Sequence, residues 1–178
     1  SEPIEGPNWY CFQGDPFMVI DRRAHWFKME DYVADLRKKY RARYRSIISQ
    51  LSHAEVREID LSDPETLSRC AHLLENTLRD KVVFLPNDNP GLLQKYRNCF
   101  GDNFVVWGGF EEGVLQSFIS TVSDGNVVRA MHFGKSKNAI DAWYSLMMFK
   151  VIESGIDKGF DLIHLGRTAT EIKSTYGA

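Results

Sequence analysis

Between Glu30 and Leu51, apolar or aromatic residues recur at Tyr32, Val33, Leu36, Tyr40, Ile47, Ile48 and Leu51, the spacing that puts side chains on one face of a helix. One long helix is expected there. Ahead of it, residues 1–28 carry Trp9, Tyr10, Phe12, Phe17, Val19 and Ile20 around Gly14 and Pro16, a pattern of one or two short strands or an extended cover. A short strand is expected from Val56 to Leu61. Ser62 and Glu65 then make a capping box, each side chain serving a backbone N–H that the first turn leaves unpaired, and Pro64 suits that turn. The helix that follows places Leu67, Cys70, Ala71, Leu74 and Leu78 on its buried stripe. After the turn-forming run Asn87-Asp88-Asn89-Pro90-Gly91, a shorter helix carries Leu92, Leu93, Tyr96 and Phe100.

The pattern then changes to strands. Phe104–Gly109, Val114–Val122 and Asn126–Phe133 are separated by Glu111-Glu112-Gly113 and Ser123-Asp124-Gly125. Turns this short, each with a glycine, allow only antiparallel hairpins. A long helix from Ala139 to Lys158 follows, with Ile140, Trp143, Tyr144, Met147, Val151 and Ile152 on one face and Gly159 at its end. The strand Phe160–Leu165 comes directly after it, so the helix is the crossover of a parallel βα unit. The expected architecture is one α/β domain over residues 29–178, with a mixed sheet made of an antiparallel meander plus a βα unit and flanked by helices. Gly166 and Arg167 close the last strand, and Thr168 with Glu171 forms a second capping box. Free N–H groups of a first helical turn beside a forked guanidinium favour an anion at that corner.

Composition narrows the classes. With 43% hydrophobic residues in 178, the chain can bury a sizeable core. No run of 18 apolar residues and no basic-then-apolar start is visible, so neither a membrane span nor a signal peptide is expected, and a cytoplasmic location is the default. Cys11, Cys70 and Cys99 are odd in number and outside any C-x-x-C pattern, which reads as reduced core cysteine, and the five histidines lack ligand spacing, so no metal is expected. The net charge of −2 exerts no overall pull on nucleic acid, yet six of the nine residues from Arg37 to Arg45 are basic. That stretch is either a solvated helix face or, through Arg41, Arg43 and Arg45 with Tyr40 and Tyr44 between them, a surface for a polyanion.

The order of elements resembles the GNAT acyltransferases, and within them the Fem-type, BioF2-like branch. The residues that carry the resemblance are Tyr32 and Leu36 leading into the basic run, Gly113 with Phe118, and His132-Phe133-Gly134. Tyr144, Ile152-Glu153 and Gly155 add to it, as does the closing block from Leu165-Gly166-Arg167-Thr168-Ala169 through Glu171-Ile172-Lys173 to Gly177-Ala178. The resemblance implies direct transfer of an acyl group from an acyl-CoA-like thioester to a small-molecule amine, without a metal. A backbone N–H at a splayed fourth strand, here Val127–Phe133, would polarise the carbonyl. The amine needs a base and the leaving group an acid. His132 is the candidate base, with Glu111 or Glu112 behind it, and Tyr144 and Tyr176 are candidate acids. Arg129, Lys135, Lys137, Arg167, Thr168 and Lys173 are candidate binding residues, although Lys173 read by itself is a solvated helix lysine. His164, alternating with Leu162, reads as buried structure.

Two features depart from that pattern. Acyl-CoA members hold pyrophosphate on a glycine-rich loop after the fourth strand, whereas Phe133-Gly134-Lys135-Ser136-Lys137-Asn138 has one glycine, leaving Lys135 and Lys137 to hold phosphate. The final β-hairpin of the fold is also expected to be lacking: either the domain is truncated at its C-terminus, or another segment or a second subunit in a homo-oligomer takes the place. Three functions stand open: an acyl-CoA-dependent N-acyltransferase, a Fem-type enzyme using aminoacyl-tRNA to build cell-wall peptide, and a catalytically silent GNAT-like binding module.

Overall fold

The computed structural model describes residues 17–79, 91–167 and 170–177. The expected extended cover around Trp9 to Phe12, the turn at Asn87 to Pro90, Cys11 and the helix cap Thr168 lie outside these. Six strands, β1 (Met18–Asp21), β2 (Glu55–Glu58), β3 (Phe104–Glu111), β4 (Val114–Asp124), β5 (Val127–Lys135) and β6 (Leu162–Gly166), form one mixed sheet in the order β1-β6-β5-β4-β3-β2. Around it lie α1 (Met29–Asp35), α2 (Lys38–Gln50), α3 (Pro64–Leu78), α4 (Leu92–Phe100), α5 (Ala142–Asp157) and α6 (Thr170–Ser174).

Strand alternation separates the core into two layers. Ile119, Val128 and Ile163 point to the face covered by α1, α2 and α5, where Tyr32, Ile47, Met147 and Ile152 are buried. Phe104, Val106 and Phe118 point to the other face, under Leu73 and Leu74 of α3 and Leu93 of α4. The meander forms as expected, and Glu112 (φ 51°) and Gly113 (φ 78°) both adopt the left-handed backbone of the tight β3–β4 hairpin.

The single helix expected from Glu30 to Leu51 is two helices. Leu36 and Arg37 turn extended (ψ 144° and 147°), and Arg41 Nη2 donates to the Leu36 carbonyl at 3.0 Å, satisfying an acceptor that the end of α1 leaves open. The corner lets each helix lay its own short stripe on α5, and periodicity could not reveal it because a two-residue corner leaves the spacing of apolar positions intact. The cap of α3 is also one residue later than expected. Asp63, not Ser62, accepts the N–H groups of Glu65 (3.1 Å) and Thr66 (3.2 Å), a role for which aspartate is as well suited as serine.

Cys70 is fully buried, whereas Cys99 is exposed on α4 and is not the core residue expected. At the far edge of the sheet β1 pairs antiparallel with β6, from Met18 opposite Gly166 to Asp21 opposite Leu162. A segment of this chain thus occupies the position beside β6. Among the described residues no helix is long and apolar enough to cross a membrane, and no cluster of three metal-ligating side chains occurs.

Candidate active site

The parallel pairing of β5 with β6 runs only from Val127 to Arg129. Beyond it β5 continues to Lys135, held on its other side by β4 as far as the Ser117 pair. The two central strands therefore separate. A bulge accompanies the separation: Thr121 faces Ala130 and Ile119 faces Phe133, so Met131 and His132 both oppose Ser120. One extra residue on a strand bends it and re-aims the side chains at the bulge.

The gap is a cleft of about 850 Å³. Leu74, Thr77 and Leu78 of α3 line it from one face of the sheet, Tyr144 and Met148 of α5 from the other, and Leu165, Gly166, Arg167, Ile172 and Lys173 form the wall opposite β5. It passes through the plane of the sheet because no ladder hydrogen bonds close that plane past Arg129.

His132 stands in the bulge. Ser120, fully buried, accepts its backbone N–H at 3.1 Å and lies 3.0 Å from its Nδ1. The ring leans on Tyr96 at 5.1 Å between centroids, and burial pushes its pKa below the ordinary value of 6.5, so the imidazole is neutral at pH 7. Across the cleft Tyr144 meets Phe133 edge to face at 4.9 Å, and burial, followed by the neighbouring Tyr176, raises its phenol well above the usual tyrosine range. Its proton is retained at all ordinary pH values and is available for donation. Arg167 is exposed at the mouth, with its Cζ 4.2 Å from the ring centre of Phe17, which in turn meets His164 edge to face at 5.6 Å.

No protein-family model matches the sequence, and no curated protein matches it. Solved structures do match. FemX superposes with a TM-score of 0.70 at 10% identity, over 92% of this chain and 59% of its own. The chain has a GNAT-like fold, shared with FemX. The C-terminal domain of a protein assigned as a lysylphosphatidylglycerol synthetase from Agrobacterium fabrum matches with a TM-score of 0.60 at 11% identity, over 91% of this chain and 50% of that one. The PaiA N-acetyltransferase from Thermoplasma acidophilum, in complex with coenzyme A, matches with a TM-score of 0.50 at 16% identity, over 70% of this chain and 86% of that one. The chain spans from half to about six-tenths of FemX and the Agrobacterium fabrum chain.

Within this GNAT-like frame several expected site residues take other positions. Tyr176 does not line the cleft: it is 0% exposed, its hydroxyl donates to Ser145 Oγ at 2.7 Å, and its carbonyl accepts from the Tyr32 hydroxyl at 2.8 Å. A candidate acid so enclosed has no path to a leaving group. Glu111 pairs with His53 at 2.5 Å and Glu112 forms the β3–β4 turn, so neither backs His132. Lys135 lines the cleft, but its Nζ donates to the Ala139 carbonyl at 2.7 Å and pairs with Asp141 at 3.0 Å, which closes the β5–α5 connection rather than leaving a cation open to phosphate. Lys137 is exposed outside the cleft, and Arg129 lies in the paired part of β5, opposite His164. Gly134 belongs to no phosphate loop: a Cβ there would come within 2.7 Å of the backbone of Leu73 and Leu74, so it lets α3 press onto β5.

Lys173 is not a solvated lysine. It is 2% exposed and lines the cleft next to Gly166, whose φ of +86° suits glycine and where a Cβ would lie 3.4 Å from Lys173 Nζ. His164 is half-buried rather than enclosed, with its pKa lowered by burial and then by Arg129. Of the basic cluster, Arg43 and Arg45 are exposed, whereas Arg41 folds back on Leu36, and Tyr40 and Tyr44 pack against the core, Tyr44 meeting Phe149 at 4.9 Å. None of these lines the cleft, although α6, which forms part of its wall, continues into Tyr176 and the contact with α1. Sequence reasoning passed over Ser120. Its one signal was a hydroxyl in the middle of a strand, which Ser117 and Thr121 of the same strand share.

Proposed function

We propose that the protein is an acyltransferase that moves an acyl group from a thioester or ester donor directly to an amine. The separation of β5 from β6 carries this reading, because it opens a cleft between a neutral histidine and a protonated tyrosine beside strand backbone that β6 does not pair among the described residues. In the transfer the amine nitrogen attacks the carbonyl carbon, and N–H groups of β5 beyond Arg129 stabilise the charge that builds on its oxygen. His132 Nε2 accepts the amine proton, which requires Nδ1–H to donate to Ser120 Oγ. Tyr144 gives its proton to the leaving sulfur or oxygen as the C–S or C–O bond breaks, and solvent later moves a proton from His132 to the tyrosinate.

An acyl-CoA-like thioester is the first donor considered, as coenzyme A is bound to PaiA. A second reading, an aminoacyl-tRNA, is favoured by two observations. Arg37, Lys38, Lys39, Arg43 and Arg45 are exposed and form no ion pair among the described residues. At the start of α5, where a pyrophosphate would rest, the carboxylate of Asp141 already holds Lys135.

Incubating the protein with radiolabelled acyl-CoA thioesters from acetyl to decanoyl, or with aminoacyl-tRNA, and a panel of amines tests the proposal. Label should move to an amine from one donor and fall at least a hundredfold with His132→Ala. If tRNA is the donor, Arg43→Gln with Arg45→Gln should reduce the salt slope of RNA binding by about one unit per lost phosphate contact. Absence of transfer and of binding with either donor would leave a silent module.

A further inference from the structure

We infer that the cleft is built for a linear apolar chain carrying an anionic group, and not for an acetyl or a cationic group. Naming that chain as the acyl group rests on the acyltransfer reading; its binding does not.

Apolar side chains reach the cleft from both faces of the sheet: Leu78 of α3, Ala130 and Phe133 of β5 and Ile172 of α6 line it half-buried, backed by the buried Leu74 and Met148. An acetyl group would occupy a small part of about 850 Å³ and leave most of these half-buried side chains against water. A longer chain displaces that water, and each methylene buried tightens binding roughly three- to fourfold. Met148 adds an unbranched, polarisable side chain that adapts to a flexible ligand.

Charge selects the other end of the ligand. Asp141 is the one carboxylate lining the cleft among the described residues, and Lys135 engages it at 3.0 Å. A cationic group would have only this already engaged carboxylate to meet, which favours the thioester donor over the aminoacyl-tRNA. On the wall opposite β5, the guanidinium of Arg167 stands at the mouth, exposed and backed by Phe17. A carboxylate, or the phosphate of a pantetheine-type carrier, supplies the matching charge.

Calorimetric titration of the full chain with acetate, hexanoate and decanoate, and with decyltrimethylammonium as a cationic chain of the same length, reads this directly. Affinity at one site per chain should rise roughly three- to fourfold per methylene until the cleft is filled. The cationic chain should bind at least tenfold more weakly than decanoate. Ala130→Phe, which narrows the cleft, should abolish the gain with length, and Leu78→Gln at a half-buried position gives a second reading if the first variant folds poorly. Substituting decanoyl phosphopantetheine for decanoate separates a phosphate-borne anion from a free carboxylate. A flat series, equal affinity for the cationic chain, or unsaturated binding at many sites would overturn the inference. Tight one-site binding with no transfer from the corresponding thioester would leave the inference standing and remove the acyltransfer reading.

Discussion

Ser120 Oγ lies 3.0 Å from His132 Nδ1 and accepts the backbone N–H of the same residue at 3.1 Å. One buried atom thus holds both the bulge of β5 and the orientation of the imidazole that the bulge carries. In Ser120→Ala both contacts vanish. The transfer rate should fall about tenfold or more, short of the 10²–10⁴ that loss of an acid–base group costs. Nitrogen NMR of His132 should show the tautomer redistributed, a change that simple loss of stability would not produce.

Burial keeps His132 below its ordinary pKa of 6.5. A base of this kind gives a rate that climbs as pH rises through the depressed value and is level above 6.5. Stability follows the same direction. The unfolded chain takes up this proton more readily, so the contribution is full above 6.5 and is lost as pH falls from there through the folded value. Denaturant midpoints measured from pH 7.5 downward should decline on acidification, and His132→Gln should flatten that decline.

Gly134→Ala places a methyl group 2.5 Å from a ring carbon of Phe118 and 2.7 Å from the backbone of Leu73 and Leu74. Backbone atoms of a helix cannot turn aside as a side chain can. A loss of about 1–3 kcal/mol or more is expected, visible as a lower melting temperature in calorimetry. A neutral outcome would mean that α3 is not pressed onto β5 as described.

Tyr176→Phe separates structure from catalysis. It deletes a hydroxyl that donates to Ser145 Oγ in a fully buried setting and leaves Ser145 without that donor. Stability should drop by about 1–3 kcal/mol, with the transfer rate of the folded protein unchanged. Tyr144→Phe should do the reverse: it removes the proton offered to the leaving group while its ring keeps the contact with Phe133.

Arg167→Lys keeps a positive charge at the mouth but loses the planar fork that lies on Phe17. Affinity for an anionic ligand should weaken by about 1–3 kcal/mol, the span of a charge-assisted hydrogen bond. Equal affinities by calorimetry would assign Arg167 to the Phe17 contact alone.

The amino-acid order by itself determined what depends on near neighbours. The meander was legible because Val, Ile and Phe alternate or run together between glycine-bearing turns, and each expected strand end falls within two residues of the observed one. The crossover was legible because the apolar face of α5 is followed at once by β6. With them came the GNAT-like order and the region of the cleft, since His132, Tyr144, Arg167 and Lys173 all line it.

Tertiary structure decided the features that depend on what another segment of the fold places beside them. The pairing of β1 with β6 joins residues more than 140 positions apart, and no local signal encodes a partner at that range. The bulge exists only as a register between β4 and β5; read along either strand it is invisible, yet it decides where His132 points. Tyr176 and Lys173 lie three residues apart in one short stretch, and the sequence treats both as polar-tipped and accessible. Packing against Ser145 and Tyr32 shuts the first inside the core, while the space left by the separating strands brings the second to the cleft. Local periodicity determines which residues share a face; what that face meets is settled only when distant segments compete for the same volume.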